Sequence, residues 1–209
     1  MMVKSYYYWN KLPHFQPADG TFFITFRLKG SIPAFKLKEL SDFIDSQNYP
    51  GQSHANEQSS ELYFRLYDDI LDSLKYGPVY LKDEAIASIV EGSIEYLQSK
   101  DYNLICYTIM PNHVHMIINK INRPLFRIMK SLKGYTGYEA NRHLNRRGAF
   151  WQKEYHDRVI RNQNELYNKI DYTLNNPVKA KLVKNWKEWK FSYINKDYDG
   201  GSIFNRTFH

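Results

Sequence analysis

The stretch YNLICYTIMPNHVHMIIN, residues 102–119, reads as two apolar strands interrupted at Met110, Pro111 and Asn112. Proline fixes φ and asparagine tolerates the left-handed region, so a turn is expected there and the two strands form a hairpin. Side chains two apart on a strand point the same way. His113, His115 and Ile117 therefore share one face, and Val114, Met116 and Ile118 the other. If the second set faces a core, both imidazoles project side by side from the opposite side of the sheet. Placed so, they are able to hold one divalent ion; the competing reading is a pair of histidines buried for structure alone.

The rest of the chain supplies elements around this hairpin. TFFITFRL, residues 21–28, is β-branched and aromatic and predicts a strand. DEAIASIVEGSIEYLQS predicts a helix capped by Asp83, with Ile86, Ile89, Val90, Ile94 and Leu97 on one stripe. A further helix is expected from about Pro124 to Leu144, weakened by Gly134 and Gly137, and HDRVIR follows it as a short strand. RNQNELYNKIDYTLNNP opens with a capping box of Asn162 and Glu165 and is expected to stop at Pro177. Residues 31–77 are mixed: LKELSDFIDSQNY as a helix, QSHANEQSS as a polar loop, and ELYFRLYDDILDSLKYG with helical spacing at Leu62, Leu66, Ile70 and Leu74.

Strand, helix, strand, strand, helix, strand, helix is the order of an α+β fold built on a ferredoxin-like split β-α-β sheet. At 209 residues the chain is expected to be one domain, 1–209, with a helical insertion at 31–77, a functional helix at 162–177 and a C-terminal tail at 178–209. No internal repeat is evident.

Charge and cysteine usage narrow the partners. The 29 Lys and Arg against 22 Asp and Glu give +7, which favours a polyanion. The cations are uneven: RIMKSLKGYTGYEANRHLNRRG holds Lys130, Lys133, Arg142, Arg146 and Arg147 with Tyr135 and Tyr138 between them and one acid. Phosphates attract such cations and unpaired bases stack on such rings, although a solvated helix face has the same composition. The sole cysteine, Cys106, excludes an internal disulfide and a cysteine-based zinc cluster. Apolar runs are too short to cross a bilayer and MMVKSYYYWNK lacks the aliphatic core of a secretory signal, so a soluble, cytoplasmic protein without membrane contact is expected.

On the last helix, at 100° per residue, Leu166, Tyr167, Ile170 and Leu174 cover one side, and Glu165, Asn168, Lys169, Tyr172 and Asn176 the other. Tyr172 and Asn176 are neighbours one turn apart. A tyrosine among polar neighbours with an amide beside it is unusual for a residue that merely packs.

PNHVHMII resembles the HUH motif, two histidines flanking a hydrophobic residue, of single-tyrosine DNA transposases. FWQKEYHDRVIRN and YNKIDYTLNNPVKAKLV closely resemble the C-terminal signature of the REP-associated tyrosine transposases. LPHFQPADGTFFITFRL, GPVYLKDEAIASIVEGSI and WKEWKFSY look like the same family, the weakest match falling between about Ser31 and Gly77. The resemblance implies a ferredoxin-like HUH nuclease domain acting on single-stranded DNA with Mg²⁺ or Mn²⁺. His113 and His115 match the metal ligands, Tyr172 the nucleophile, and Asn176 the position of a third polar ligand, with Asn175 and Glu165 able to reach the same region. It implies a 5′-phosphotyrosine link, a free 3′-OH, and a substrate of palindromic repeats that fold into hairpins. Lys130, Lys133, Arg142, Arg146 and Arg147, joined by Arg158 and Arg161 near the last helix, are the candidate phosphate contacts, with Lys179 and Lys181 extending the patch. A monomer or homodimer is compatible with it. The alternative is a hairpin or single-stranded nucleic-acid-binding protein that has kept the fold and lost the reaction.

Overall fold

A computed structural model describes residues 6–9, 13–17, 19–47, 57–98 and 100–199. Its elements in chain order are β1 (Tyr6–Trp9), β2 (Pro13–Gln16), β3 (Thr21–Arg27), α1 (Ala34–Gln47), α2 (Glu57–Asp72), α3 (Glu84–Gln98), β4 (Asn103–Ile109), β5 (His113–Asn119), α4 (Leu125–His143), β6 (His156–Ile160), α5 (Gln163–Lys179) and β7 (Ser192–Ile194). β1 and β2 form a separate antiparallel pair. The other five strands make one antiparallel sheet in the order β6-β3-β5-β4-β7.

The first four strands of that order are the expected split β-α-β arrangement. β4 and β5 are joined by the turn at Met110, Pro111 and Asn112, and β5 lies between β4 and β3, buried on both faces. Val114, Met116 and Ile118 enter the main core with Phe22, Ile24 and Phe26 of β3, Ile86, Val90 and Ile94 of α3, and Ile128, Met129 and Leu132 of α4. Ile117 enters a second core on the other face, with Phe23, Ile105, Cys106, Ile160, and Ile170 and Leu174 of α5. The period-two reading of HVHMIIN is thus realised: helices α3 and α4 cover one side of the sheet, and α5 covers the side carrying the histidines. In β4 the register slips between Leu104 and Cys106, so Ile105 is an extra residue, and both Ile105 and Cys106 reach the α5 side.

Asp83 caps α3, accepting from Ala85 N–H at 2.9 Å, and Asn162 caps α5, accepting from Glu165 N–H at 2.9 Å. Glu165 reaches back to Arg161 N–H rather than to the cap residue itself. Helix α5 does not end at Pro177 but runs to Lys179. Proline forfeits one N–H bond at position 177, yet this close to the C-terminus the turn still closes, through Ala180 N–H to Asn176 O and Leu182 N–H to Pro177 O. The residues after it add a strand, β7, to the β4 edge. No helix is long and apolar enough to cross a membrane, among the described residues.

The insertion between Ser31 and Gly77 is two helices with a small core of their own, Ile32, Leu40, Ile44, Tyr67 and Leu71, flanked by Leu62, Leu66 and Ile70. Helix α2 begins at Glu57, so the end of the expected polar loop is helical, while residues 48–56 lie outside the description. Leu74 falls off the stripe because α2 ends at Asp72 and Leu74 turns to φ 52°. Two buried contacts tie α2 to the sheet: Arg27 Nε donates to Tyr67 Oη at 2.5 Å, and Asn112 Nδ2 donates to Leu71 O at 3.0 Å.

Candidate active site

His113 and His115 are fully buried beneath α5, their Nε2 atoms 3.0 Å apart. The proline-asparagine turn explains how they are oriented. Asn112 spends its amide N–H on Leu71 O, which leaves Oδ1 facing His113 Nδ1 at 2.6 Å. An amide oxygen only accepts, so the His113 proton sits on Nδ1 and its Nε2 lone pair is exposed to the site. His115 Nδ1 lies 2.8 Å from Thr25 Oγ1, its cross-strand partner on β3. A hydroxyl can accept that proton, which frees the second Nε2 as well.

Helix α2 brings a third donor. Asp72 Oδ1 is 3.5 Å from His113 Nε2, too long for a good hydrogen bond. Asp72, His113 and His115 offer one ligand atom each, all within 4.8 Å of one another and all buried. Two donors each about 2.1 Å from one ion and at right angles around it are about 3.0 Å apart, the spacing of the two imidazole nitrogens. Asn176, 1% exposed, donates Nδ2 to Asp72 Oδ1 at 3.0 Å, and its own Oδ1 is buried with no hydrogen-bond partner. A carboxylate, two imidazoles with inward lone pairs and an orphaned amide oxygen are a donor set that fits a small divalent cation.

Tyr172 stands beside these groups. Its ring is edge-on to His115, centroids 5.5 Å apart, and to Phe23 at 6.1 Å. Its hydroxyl donates to Asp68 Oδ2 at 3.2 Å. Lys169 and Lys179 hold their ammonium groups 5.4 and 5.5 Å from the Tyr172 ring centre. Lys179 also donates to Asp69 Oδ1 at 2.5 Å and Asp72 Oδ2 at 2.9 Å. A cavity of about 360 Å³ opens at Tyr172, walled by Phe64 and Asp68 of α2, Lys169 of α5, and His156 and Arg158 of β6.

Burial dominates the electrostatics. It pushes His113 down to about 3 and His115 well below the ordinary imidazole range, so both stay neutral at physiological pH. Burial raises Asp72 against the opposing charge of Lys179. It also lifts Asp68, assisted by the Asp72 charge, to about 8. The Tyr172 phenol is raised, first by burial and then by Asp68.

The structure brings together Tyr172, His113, His115 and Asn176, and adds Asp72 and Asp68 from α2 of the insertion. The local trace is two acids four apart in YDDILD, beside the Leu62, Leu66 and Ile70 stripe, a spacing that does not say where α2 packs. Asn176 is not on an open helix face, because α2 lies against it. Asn175 bonds instead to Asp171 at 2.8 Å and Glu165 to Arg158 at 3.1 Å.

The candidate phosphate contacts separate. Lys130, Arg142, Arg146 and Arg147 belong to α4 and the loop after it, and α4 covers the sheet face opposite α5. Lys130 and Arg147 are exposed. Arg142 pairs with Glu139 at 2.6 Å and Arg146 lies over the Tyr80 ring at 5.0 Å. Lys133 is turned inward, donating to Lys153 O at 2.7 Å, and burial pushes it down to about 8. Arg158 is held by Glu61 and Glu165 at the mouth of the Tyr172 cavity, and Arg161 is exposed at the start of α5. A groove on the α4 side is lined by Phe126, Lys130, Tyr138 and the segment Gly148–Lys153, which leads into edge strand β6.

A family model described as Transposase IS200 like matches residues 64–172, beginning in α2 and ending at Tyr172. The chain is 27% identical over 108 residues to a curated protein of Haemophilus influenzae named as a REP-associated tyrosine transposase, an overlap of 46% of this chain and 61% of that one. The chain therefore spans about three fifths of the length of that relative. A solved structure titled as the REP-associated tyrosine transposase bound to a REP hairpin is similar in fold, with TM-score 0.50, 18% identity, and coverage of 83% of this chain and 76% of that one.

Proposed function

The chain belongs to the IS200-like transposase family, and on that premise we propose that it is a metal-dependent DNA transesterase that cuts and rejoins single-stranded DNA beside hairpin-forming palindromic repeats, with Tyr172 as nucleophile. The observation that carries the reading is the convergence of one phenol with two inward-facing imidazoles and a carboxylate in a buried pocket. A site of pure binding has no use for that constellation.

Asp72, His113 and His115 would hold Mg²⁺ or Mn²⁺, with the Asn176 amide oxygen as a further donor. When bound, such an ion polarises a scissile phosphate and neutralises charge developing on it. The protein's own groups do the rest. Tyr172 attacks phosphorus, forming the Tyr172 Oη–P bond while the P–O3′ bond breaks, and the product is a 5′-phosphotyrosine and a free 3′-OH. Attack of a 3′-OH on that link reverses the step, so joining needs neither ATP nor water. Lys169 and Lys179, beside the Tyr172 ring, supply positive field toward the incoming phosphodiester. The exposed cations and rings of α4 suit the hairpin stem, and the segment 148–158 offers a route around the β6 edge from that groove to the Tyr172 cavity.

The test is incubation of purified protein with a labelled pool of hairpin oligonucleotides bearing randomised single-stranded flanks, in Mn²⁺, Mg²⁺ or EDTA, followed by a denaturing gel. A metal-dependent covalent adduct lost in Tyr172→Phe is expected. Hairpin binding without an adduct in either metal would assign the chain to the silent binding class.

A further inference from the structure

Helices α2 and α5 meet as a ladder of two rungs. Asp68 takes the Tyr172 hydroxyl at 3.2 Å, and Asp72 takes the Asn176 amide at 3.0 Å, each pair separated by 104 residues. On each helix the two positions are one turn apart, so the helices run parallel and in register. The second rung belongs to the ion-binding set. The first does not: Asp68 is not among the clustered donors, yet its carboxylate is buried and bonded to the phenol.

A phenol at neutral pH holds its proton, and burial here makes Tyr172 hold it more firmly. Attack on phosphorus requires that proton to leave the oxygen. Among the described residues the hydrogen bond from the Tyr172 hydroxyl goes to Asp68. We propose that Asp68 is the general base of the cleavage step and the general acid of its reversal, a catalytic residue supplied by the inserted helices.

This inference rests on the transesterase reading. In the forward step the Tyr172 O–H proton passes to Asp68 Oδ2 as the Oη–P bond forms. The P–O3′ bond breaks with its electron pair on the 3′ oxygen, which takes a proton from solvent. In the reverse step Asp68 returns its proton to the Tyr172 oxygen as an incoming 3′-OH displaces it and gives its own proton to solvent. No electrons are transferred between oxidation states.

The surroundings suit that role. Burial, and after it the charge of Asp72 on α2, raises Asp68, whereas Tyr172, Lys169 and Lys179 of α5 lower it, and His156, Asp157 and Arg158 of β6 wall the same cavity. The balance lies near neutrality, where a general base is most effective. An anchoring role alone would predict that an isosteric amide, which still accepts the phenol's hydrogen bond, serves as well.

The test compares wild type, Asp68→Asn and Asp68→Glu in the adduct assay across pH, with Mn²⁺ binding and thermal melting as checks on folding. Asp68→Asn is expected to slow adduct formation by about 10²–10⁴-fold, to lose the rise of rate with pH, and to keep hairpin and Mn²⁺ affinity; Asp68→Glu restores part of the rate. A fluorinated, more acidic tyrosine at position 172 should recover the Asp68→Asn rate, since a weaker O–H bond needs less help. An adduct formed by Asp68→Asn at the wild-type rate, or slowly but with the wild-type pH profile, overturns the proposal and leaves the transesterase intact. Failure of wild type to form any adduct removes both.

Discussion

Asp72 and Asn176 stand 104 positions apart in the chain and share one buried hydrogen bond of 3.0 Å. That bond joins the inserted helices to the helix that carries Tyr172 and holds a carboxylate toward His113. It also changes the charge of the candidate site. Two imidazoles and an amide would leave a divalent ion its full charge, whereas two imidazoles and a carboxylate leave it a net +1 and bind it more tightly.

Asp72→Asn is therefore expected to lower Mn²⁺ affinity more than Asn176→Ala does. The second change removes an orienting partner of Asp72 together with a neutral further donor but leaves the carboxylate; for loss of an orienting partner roughly 10–100-fold is typical. Wild type should bind Mn²⁺ more tightly than Mg²⁺, because imidazole suits it better. Isothermal titration on metal-stripped protein decides both; tighter Mg²⁺ binding, or equal losses in the two variants, would contradict the assignment.

Tyr172→Phe removes one oxygen from a half-buried ring and leaves the packing against Phe23 and His115. Adduct formation should disappear while hairpin affinity stays within about twofold, well under 1 kcal/mol. Tyr135→Phe and Tyr138→Phe, on exposed rings across the sheet, should weaken binding at most. If either abolished the adduct, the nucleophile is misplaced.

Without metal, stability should fall as pH rises from about 6.5 to 8. Asp68 has a folded value raised to about 8. Its contribution is complete below the unfolded carboxylate range and is lost as pH climbs through 8. His113, depressed to about 3, has the opposite sign and is fully expressed above pH 6.5, so it offsets the carboxylate only at lower pH. Urea melts in EDTA at several pH values measure the slope, at most about 1.4 kcal/mol per pH unit for one group. Asp68→Asn should flatten it; an unchanged slope would trace it elsewhere.

The basic residues of α4 and of the loop after it should divide by what they touch. Lys130→Ala and Arg147→Ala are expected to weaken hairpin binding and each reduce the salt slope by about one. Lys133→Ala should instead lower the melting temperature, because its ammonium bridges the Lys153 and Glu154 carbonyls. Anisotropy titrations over a range of salt, beside thermal melts, distinguish the two classes.

The shared faces of His113 and His115, and of Tyr172 and Asn176, were legible because strand and helix periods place side chains locally, two and four residues apart; their candidate roles came from the family resemblance. The hairpin, α3, α4 and the cap of α5 were legible for the same reason. Asp68 and Asp72 were not, since nothing local says that α2 will lie along α5 a hundred residues later. Lys133 shows the same limit from the other side: its spacing put it on a basic face, and only the path of residues 153–155 turned it inward. Pro177 misled because the rule that proline ends helices is weakest in a final turn, where a single lost bond is all it costs. Strand β7, three residues long, carries too little pattern to announce itself.

Helix α5 folds back onto the sheet of its own polypeptide, so phenol, imidazoles and both aspartates all come from one chain. Dilution cannot separate groups that are covalently tethered. Any reaction that used these groups together within one copy would be first order in protein.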